Sequence, residues 1–182
     1  MQSIGFKEWA MVCEAFARGR QSIVVRKGGI AEGSAGFSFR HHDFYLFPTW
    51  FHEQSGKVRT TDILIPEKPA GEIEIRCLAR LECARVVTSW PVAEALAPLH
   101  ILRSEVVRDR FDYDAAPGVH VALVRAFRLL PAWKFPDEKR FGGCRSWVNL
   151  PDPPPEIRLE PVLSEADHDK RREEFFGILG EG

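Results

Sequence analysis

Residues 72–88 alternate over an unusual length. Ile73, Ile75, Cys77, Ala79 and Leu81 fall on one side of an extended backbone, and Glu72, Glu74, Arg76, Leu78, Arg80 and Glu82 on the other. The pattern predicts one long or bent strand, and a strand of that kind suits a curved or closed sheet. Two further runs supply neighbours. In FSFRHHDFYLF, residues 37–47, Phe37, Phe39, His41, Asp43, Tyr45 and Phe47 share one face, and Pro48 is expected to end the strand. Residues 119–130, VHVALVRAFRLL, read as another strong strand.

Shorter elements fill the rest. Trp9, Val12, Cys13 and Phe16 follow helical spacing, so residues 5–18 read as a helix with Gly19 as its stop. Residues 22–27, SIVVRK, read as a short strand broken by Gly28-Gly29. Trp90-Pro91 opens a short helix to about Ala97, and a second runs from Ser104 to about Phe111. Pro131, Trp133, Pro136 and Gly142-Gly143 mark a loop before a last strand at 144–150. The expected fold class is α+β. It has a small, mainly antiparallel, curved or barrel-like sheet, an N-terminal helix, two short inserted helices and a C-terminal accessory helix. An open mixed sheet with flanking helices is the alternative.

Composition divides the chain. Residues 1–150 hold 21 Lys+Arg against 17 Asp+Glu, a net of +4, whereas residues 151–182 hold 4 against 9, a net of -5. PDPPP at 151–155 is a semi-rigid linker between them, and Ser164-Glu165-Ala166-Asp167 is patterned to cap a charged helix. The expectation is one α+β domain over 1–150 and an appendage over 151–182. No apolar run approaches the ~20 residues of a membrane helix, and Lys7, Glu8 and Trp9 stand where a signal peptide needs an apolar core. The protein is therefore expected to be cytoplasmic. Its four cysteines, Cys13, Cys77, Cys83 and Cys144, have no zinc-ribbon spacing and read as free, buried thiols, Cys144 on the inward face of its strand.

Candidate chemistry concentrates at strand ends. Arg26, Lys27, Gly28 and Gly29 combine cations with paired glycines whose amides can face an anion. His41 and Asp43 share a face if the strand is regular, so Asp43 would orient His41. Trp50 and His52 follow Pro48 at a corner, and Arg145 and Trp147 share a face on the last strand. Cations beside aromatics suit phosphate contact and base stacking. His100, beyond Pro98, is placed to line a cleft. The nearest approach to a nuclease acid set is Asp62 with Glu72 and Glu74, but Arg76 stands where a lysine would serve. No catalytic residue, metal ligand set or cofactor motif is assigned.

Four segments together resemble a known family: Lys7-Glu8-Trp9, Arg26-Lys27-Gly28-Gly29-Ile30, Phe44-Tyr45-Leu46-Phe47-Pro48-Thr49-Trp50-Phe51-His52, and Gly142-Gly143-Cys144-Arg145-Ser146-Trp147-Val148. Their order over about residues 5–150 resembles the bacterial domain of unknown function 1802 family. The resemblance implies little about activity beyond a suggested link to endonucleases. A second resemblance, in architecture, is to PUA-like and ASCH-like barrels, carried by a helix ending Ala17-Arg18-Gly19 and a strand ending Arg26-Lys27. It implies binding of RNA or modified bases, as an analogy of fold.

The leading reading is a non-catalytic module for nucleic acid, RNA or DNA, or a nucleotide-like anion. The site residues would be Arg26, Lys27, Gly28, Gly29, His41, Asp43, Trp50, His52, Arg145 and Trp147. The alternatives are a metal-dependent nuclease or phosphodiesterase, and an adaptor whose acidic tail contacts a protein partner. No membrane partner is expected.

Overall fold

The structure is a computed structural model that describes residues 3–27, 37–51, 53–59, 62–113 and 115–180. Its strands are β1 (Ile4–Trp9), β2 (Ile23–Arg26), β3 (Asp43–Thr49), β4 (Glu72–Val87), β5 (Val119–Pro136), β6 (Trp147–Asn149) and β7 (Arg158–Pro161). The helices are α1 (Ala10–Ala17), α2 (Trp90–Ala95), α3 (Ser104–Phe111) and α4 (Glu165–Leu179). The fold is α+β. One sheet runs in the order β2-β5-β4-β3-β1-β6, with β7 added to β5. Among the described residues only the β1–β3 pair is parallel; the other ladders are antiparallel.

β4 and β5 form the spine, and they are bent. Their register shifts between Ile75 and Cys77 and again between Leu81 and Cys83. At the first shift the partners jump from Trp133 to Arg128, so extra residues of β5, Pro131 among them, bulge out of the ladder. A proline is tolerated there because no ladder bond is asked of it. The residues read as a loop from Pro131 to Pro136 thus continue β5. The sheet stays open along its path, yet it curls until its outermost strands touch. Arg26 Nη2, at the end of β2, donates to Ser146 Oγ, just before β6, at 3.2 Å.

Several further sequence expectations are corrected. Residues 5–9 are not helical: β1 occupies Ile4–Trp9 and the helix begins at Ala10. β1 lies between β3 and β6, and Gly5 to Glu8 are all buried, so no alternation betrays it. Its polar residues are satisfied by partners. Lys7 Nζ donates to the carbonyls of Gly142 and Gly143 at 3.0 and 2.9 Å, and the Glu8 carboxylate accepts from the Trp9 amide at 2.9 Å.

The strand expected over 37–47 is Asp43–Thr49 instead. Phe37 to His41 are not in a strand; the rings of Phe37 and Phe39 pack on Phe6. Pro48 does not end β3. It sits beyond Tyr45, where pairing with β4 has already stopped. The strand expected over 144–150 is only Trp147–Asn149, and Cys144 before it is exposed rather than inward.

Two apolar clusters pack on the sheet. On β3, Phe44 and Leu46 enter the larger one, with Phe6, Phe16, Val121 and Leu123, whereas Phe47 enters a smaller one around Ile75, Trp133 and Phe141. Gln54, fully buried, fixes α1 to β3. Its Oε1 accepts from the Met11 amide at 3.1 Å, one of the amides a helix start leaves open, and its Nε2 donates to Thr49 O at 2.9 Å.

The acidic tail is docked on the sheet. β7 pairs with Phe127–Leu130 of β5, and Phe175 of α4 is fully buried in the larger cluster. Ser164 Oγ accepts from the Asp167 amide at 3.1 Å, the cap expected from sequence. His168, 3% exposed, meets Glu82 of β4 at 2.8 Å. Among the described residues no helix is long and apolar enough to cross a membrane.

Candidate functional site

β2 delivers Arg26 to the corner where the sheet's edges meet. The guanidinium lies over the Phe6 ring at 5.5 Å, and one of its nitrogens is bound to Ser146. Its Nε is buried and has no hydrogen-bond partner among the described residues. Trp147 opens β6 opposite Phe6 in the ladder, so register alone brings the two rings together, 4.8 Å apart. The indole Nε1 is likewise buried without a partner. Two N–H donors, one cationic and one neutral, therefore flank the same phenyl ring, and neither has an acceptor among the described residues.

Aromatic rings surround them. Trp147 meets the edge of Phe44 at 5.3 Å and of His41 at 4.9 Å, and lies parallel to Phe37 at 6.4 Å. His120, level with Arg26 in the β2–β5 ladder, meets Phe37 at 5.3 Å. Burial and then the nearby Arg40 charge push the His41 pKa below its ordinary 6.5, which favours the neutral ring. Arg110 of α3 reinforces the positive field. It donates to Val25 O at 2.6 Å and stacks over Trp9 at 4.8 Å. Burial lowers its pKa and the Arg26 charge adds to that, while Glu8 opposes them.

The corner gathers Arg26, His41 and Trp147 of the residues singled out by sequence. Lys27 follows Arg26, its Nζ donating to Ala116 O, and Arg145 is exposed beside Ser146. Asp43 does not orient His41. It hydrogen-bonds His42 at 2.7 Å and takes both oxygens to Arg80. The same-face argument needs a regular strand at His41, and β3 begins only at Asp43. Trp50 is not among the rings around Trp147. It donates to Pro66 O at 2.9 Å and lines a separate groove with Leu46, Pro48 and Cys13. Gly28, Gly29 and His52 lie outside the described residues.

Phe6, Ser146 and His120 were missed. Phe6 is the ring that joins Arg26 to Trp147, and it sits in a segment whose spacing reads as helix. Only the β1–β6 pairing exposes its role.

Two of the three acids expected of a nuclease are committed elsewhere. Asp62 pairs with Arg20 at 3.2 Å, and Glu74 with Arg76 at 2.5 Å and Lys134 at 3.4 Å. Burial works upward on the Glu74 carboxyl, but these cations hold its pKa below the ordinary value. Among the described residues no three His, Cys, Asp or Glu side chains are grouped to hold a metal ion.

The model of the family described as "Domain of unknown function (DUF1802)" matches residues 5–174. Comparison with curated proteins finds no match. Among solved structures the chain is similar to the crystal structure of ASCH from Zymomonas mobilis, at 12% identity, 92% coverage of both chains and a TM-score of 0.47. A serine-to-alanine mutant of that protein gives 12% identity, the same coverage and a TM-score of 0.45. The likeness is one of chain path and says nothing of ligands.

Proposed function

The chain belongs to the domain of unknown function 1802 family, and we propose that it is a non-catalytic module that binds nucleic acid or a nucleotide-like anion at the Arg26–Trp147 corner. The supporting observation is the pair of buried, partnerless donors, Arg26 Nε and Trp147 Nε1, on either side of Phe6. A buried donor without an acceptor costs about 1–3 kcal/mol. An acceptor-rich ligand relieves that cost twice over. Phosphate oxygens and base carbonyls are such acceptors, and the surrounding rings suit a base face. Lys27 and Arg145, beside the two donors in sequence, are assigned to backbone phosphates. This assignment makes affinity fall with salt as condensed cations are released.

The test is titration of labelled single-stranded RNA and DNA into the full chain at two salt concentrations. Binding should weaken with salt. Arg26→Ala should weaken it further, by about tenfold, the value of one charge-assisted hydrogen bond. Trp147→Phe, which keeps a ring and removes the donor, should weaken it at unchanged salt dependence. Absence of affinity for every oligonucleotide at low salt would refute the proposal. The adaptor and nuclease readings have no comparable observation behind them.

A further inference from the structure

Most charges of the tail helix are paired within the chain. Glu165 of α4 holds Arg125, and His168 meets Glu82. Lys170 pairs with Asp167, and Arg171 with Glu174, both at 3.5 Å. Asp169, Arg172 and Glu173 differ: none of the three makes a hydrogen bond or ion pair among the described residues. Phe176 and Gly177 follow them at the spacing i, i+3, i+4, i+7, i+8, which is one continuous face of a helix. His168 and Phe175, the buried residues of α4, lie on its other side. The outer face is thus a stripe of three charges, one ring and one glycine that the rest of the chain leaves uncovered.

The same five residues line a shallow hollow of about 480 Å³ on that face. Phe176 is half-buried and the other four are exposed, so each can touch an occupant. Gly177 leaves the hollow open. A Cβ added there would meet nothing within 4 Å, so no contact inside this chain calls for a glycine. Glycine in a helix is nevertheless less stable than alanine. The signs on the stripe narrow the choice of occupant. Arg172 and Glu173 are adjacent and opposite in charge, so the stripe matches neither a purely cationic nor a purely anionic partner. It matches itself: a two-fold axis across α4 sets Arg172 of one copy beside Glu173 of the other, and the reverse, as an isologous interface requires.

We propose that this face of α4 is a self-association surface, on which a second copy of the chain packs its own α4 antiparallel. Arg172 of each copy fills the hollow over Gly177 of the other. There its guanidinium lies against the Phe176 ring and within reach of Glu173. The contact is one helix wide and falls below the ~1,200 Å² of a stable interface, so the dimer is weak and forms at high protein concentration. It is independent of the nucleic-acid reading, since none of the corner residues lies on α4.

The test is sedimentation equilibrium of the full chain over a concentration series. It should show a monomer–dimer equilibrium that weakens with salt. Arg172→Glu and Glu173→Arg should each weaken the dimer by about tenfold or more, because each sets like charges together. The double exchange should restore it, since both pairs are then complementary again with their signs reversed. Gly177→Gln, which fills the hollow with a good helix former, should raise the melting temperature and weaken the dimer. A folding defect moves the melting temperature the other way. A chain that stays monomeric up to about 1 mM overturns the proposal. So does a dimer indifferent to the single exchanges, a double exchange that restores nothing, or a Gly177→Gln variant that associates as the parent does.

Discussion

Arg80 donates to both carboxylate oxygens of Asp43, at 3.0 and 2.9 Å, directly across the β3–β4 ladder. The hydrogen bond from Arg80 is the main reason the Asp43 carboxyl titrates below its ordinary 3.8; burial opposes it and His42 adds to it. A depressed folded value has one sign. The pair stabilises the fold fully above the ordinary aspartate range, and that contribution is lost as pH falls through the lowered value. Both side chains are about two-fifths exposed, so water and salt screen the pair and its worth is at most about 1 kcal/mol. Asp43→Asn should lower the melting temperature slightly at neutral pH. It should flatten the acid limb of the stability curve below about pH 4. Thermal melts of both proteins from neutral to acid pH give the answer, and parallel acid limbs would show that the pair carries no such linkage.

Gly19 ties the stop of α1 to the tail. Its φ is +69°, and an added Cβ would lie 2.6 Å from Leu163 Cδ2. Gly19→Ala should therefore cost about 1 kcal/mol for the left-handed backbone, and more for the contact. Leu163→Ala made alongside should recover the contact part only. A double-mutant cycle by urea unfolding separates the two. Strict additivity would mean that Leu163 is not pressed against this turn.

Phe175 is fully buried in the larger core cluster, with no solvent-accessible surface. Phe175→Ala should destabilise by about 3–5 kcal/mol, as a large ring leaves a cavity. Removal of everything after Leu150 deletes that ring together with β7, whose partners on β5 are Phe127–Leu130. The composition break at the prolines suggests a self-sufficient core over 1–150, whereas the packing leads us to expect a marked drop in melting temperature on truncation. Calorimetry on the two lengths decides it: equal transitions would make the tail an ornament on an independent domain.

Much of the sheet was legible because alternation survives wherever one face is polar. Glu72, Glu74 and Arg76 marked β4 as plainly as Ile73 and Ile75 did. β1 was illegible for the opposite reason. Lys7 and Glu8 look like solvated residues of a helix, and only distant carbonyls and a neighbouring amide explain how they sit inside a sheet. The corner was half legible. Arg26 and Trp147 stand out by residue type at strand ends, but their meeting depends on Phe6, placed by a ladder between segments about 140 residues apart. His41 and Asp43 failed as a pair because period-two reasoning holds only inside a strand, and the chain enters β3 after His41.

The outermost strands, β2 and β6, meet through the Arg26–Ser146 hydrogen bond, and no ladder joins them among the described residues. A barrel closed by a backbone ladder has a girth fixed in whole steps of register. A hoop fastened by side chains has no such gearing. The spacing of the two edges follows the side chains at the clasp, so a single substitution at 26 or 146 can move those edges without re-pairing any strand. The seam between the two edges is therefore set one side chain at a time, while the ladders on either side of it keep their register.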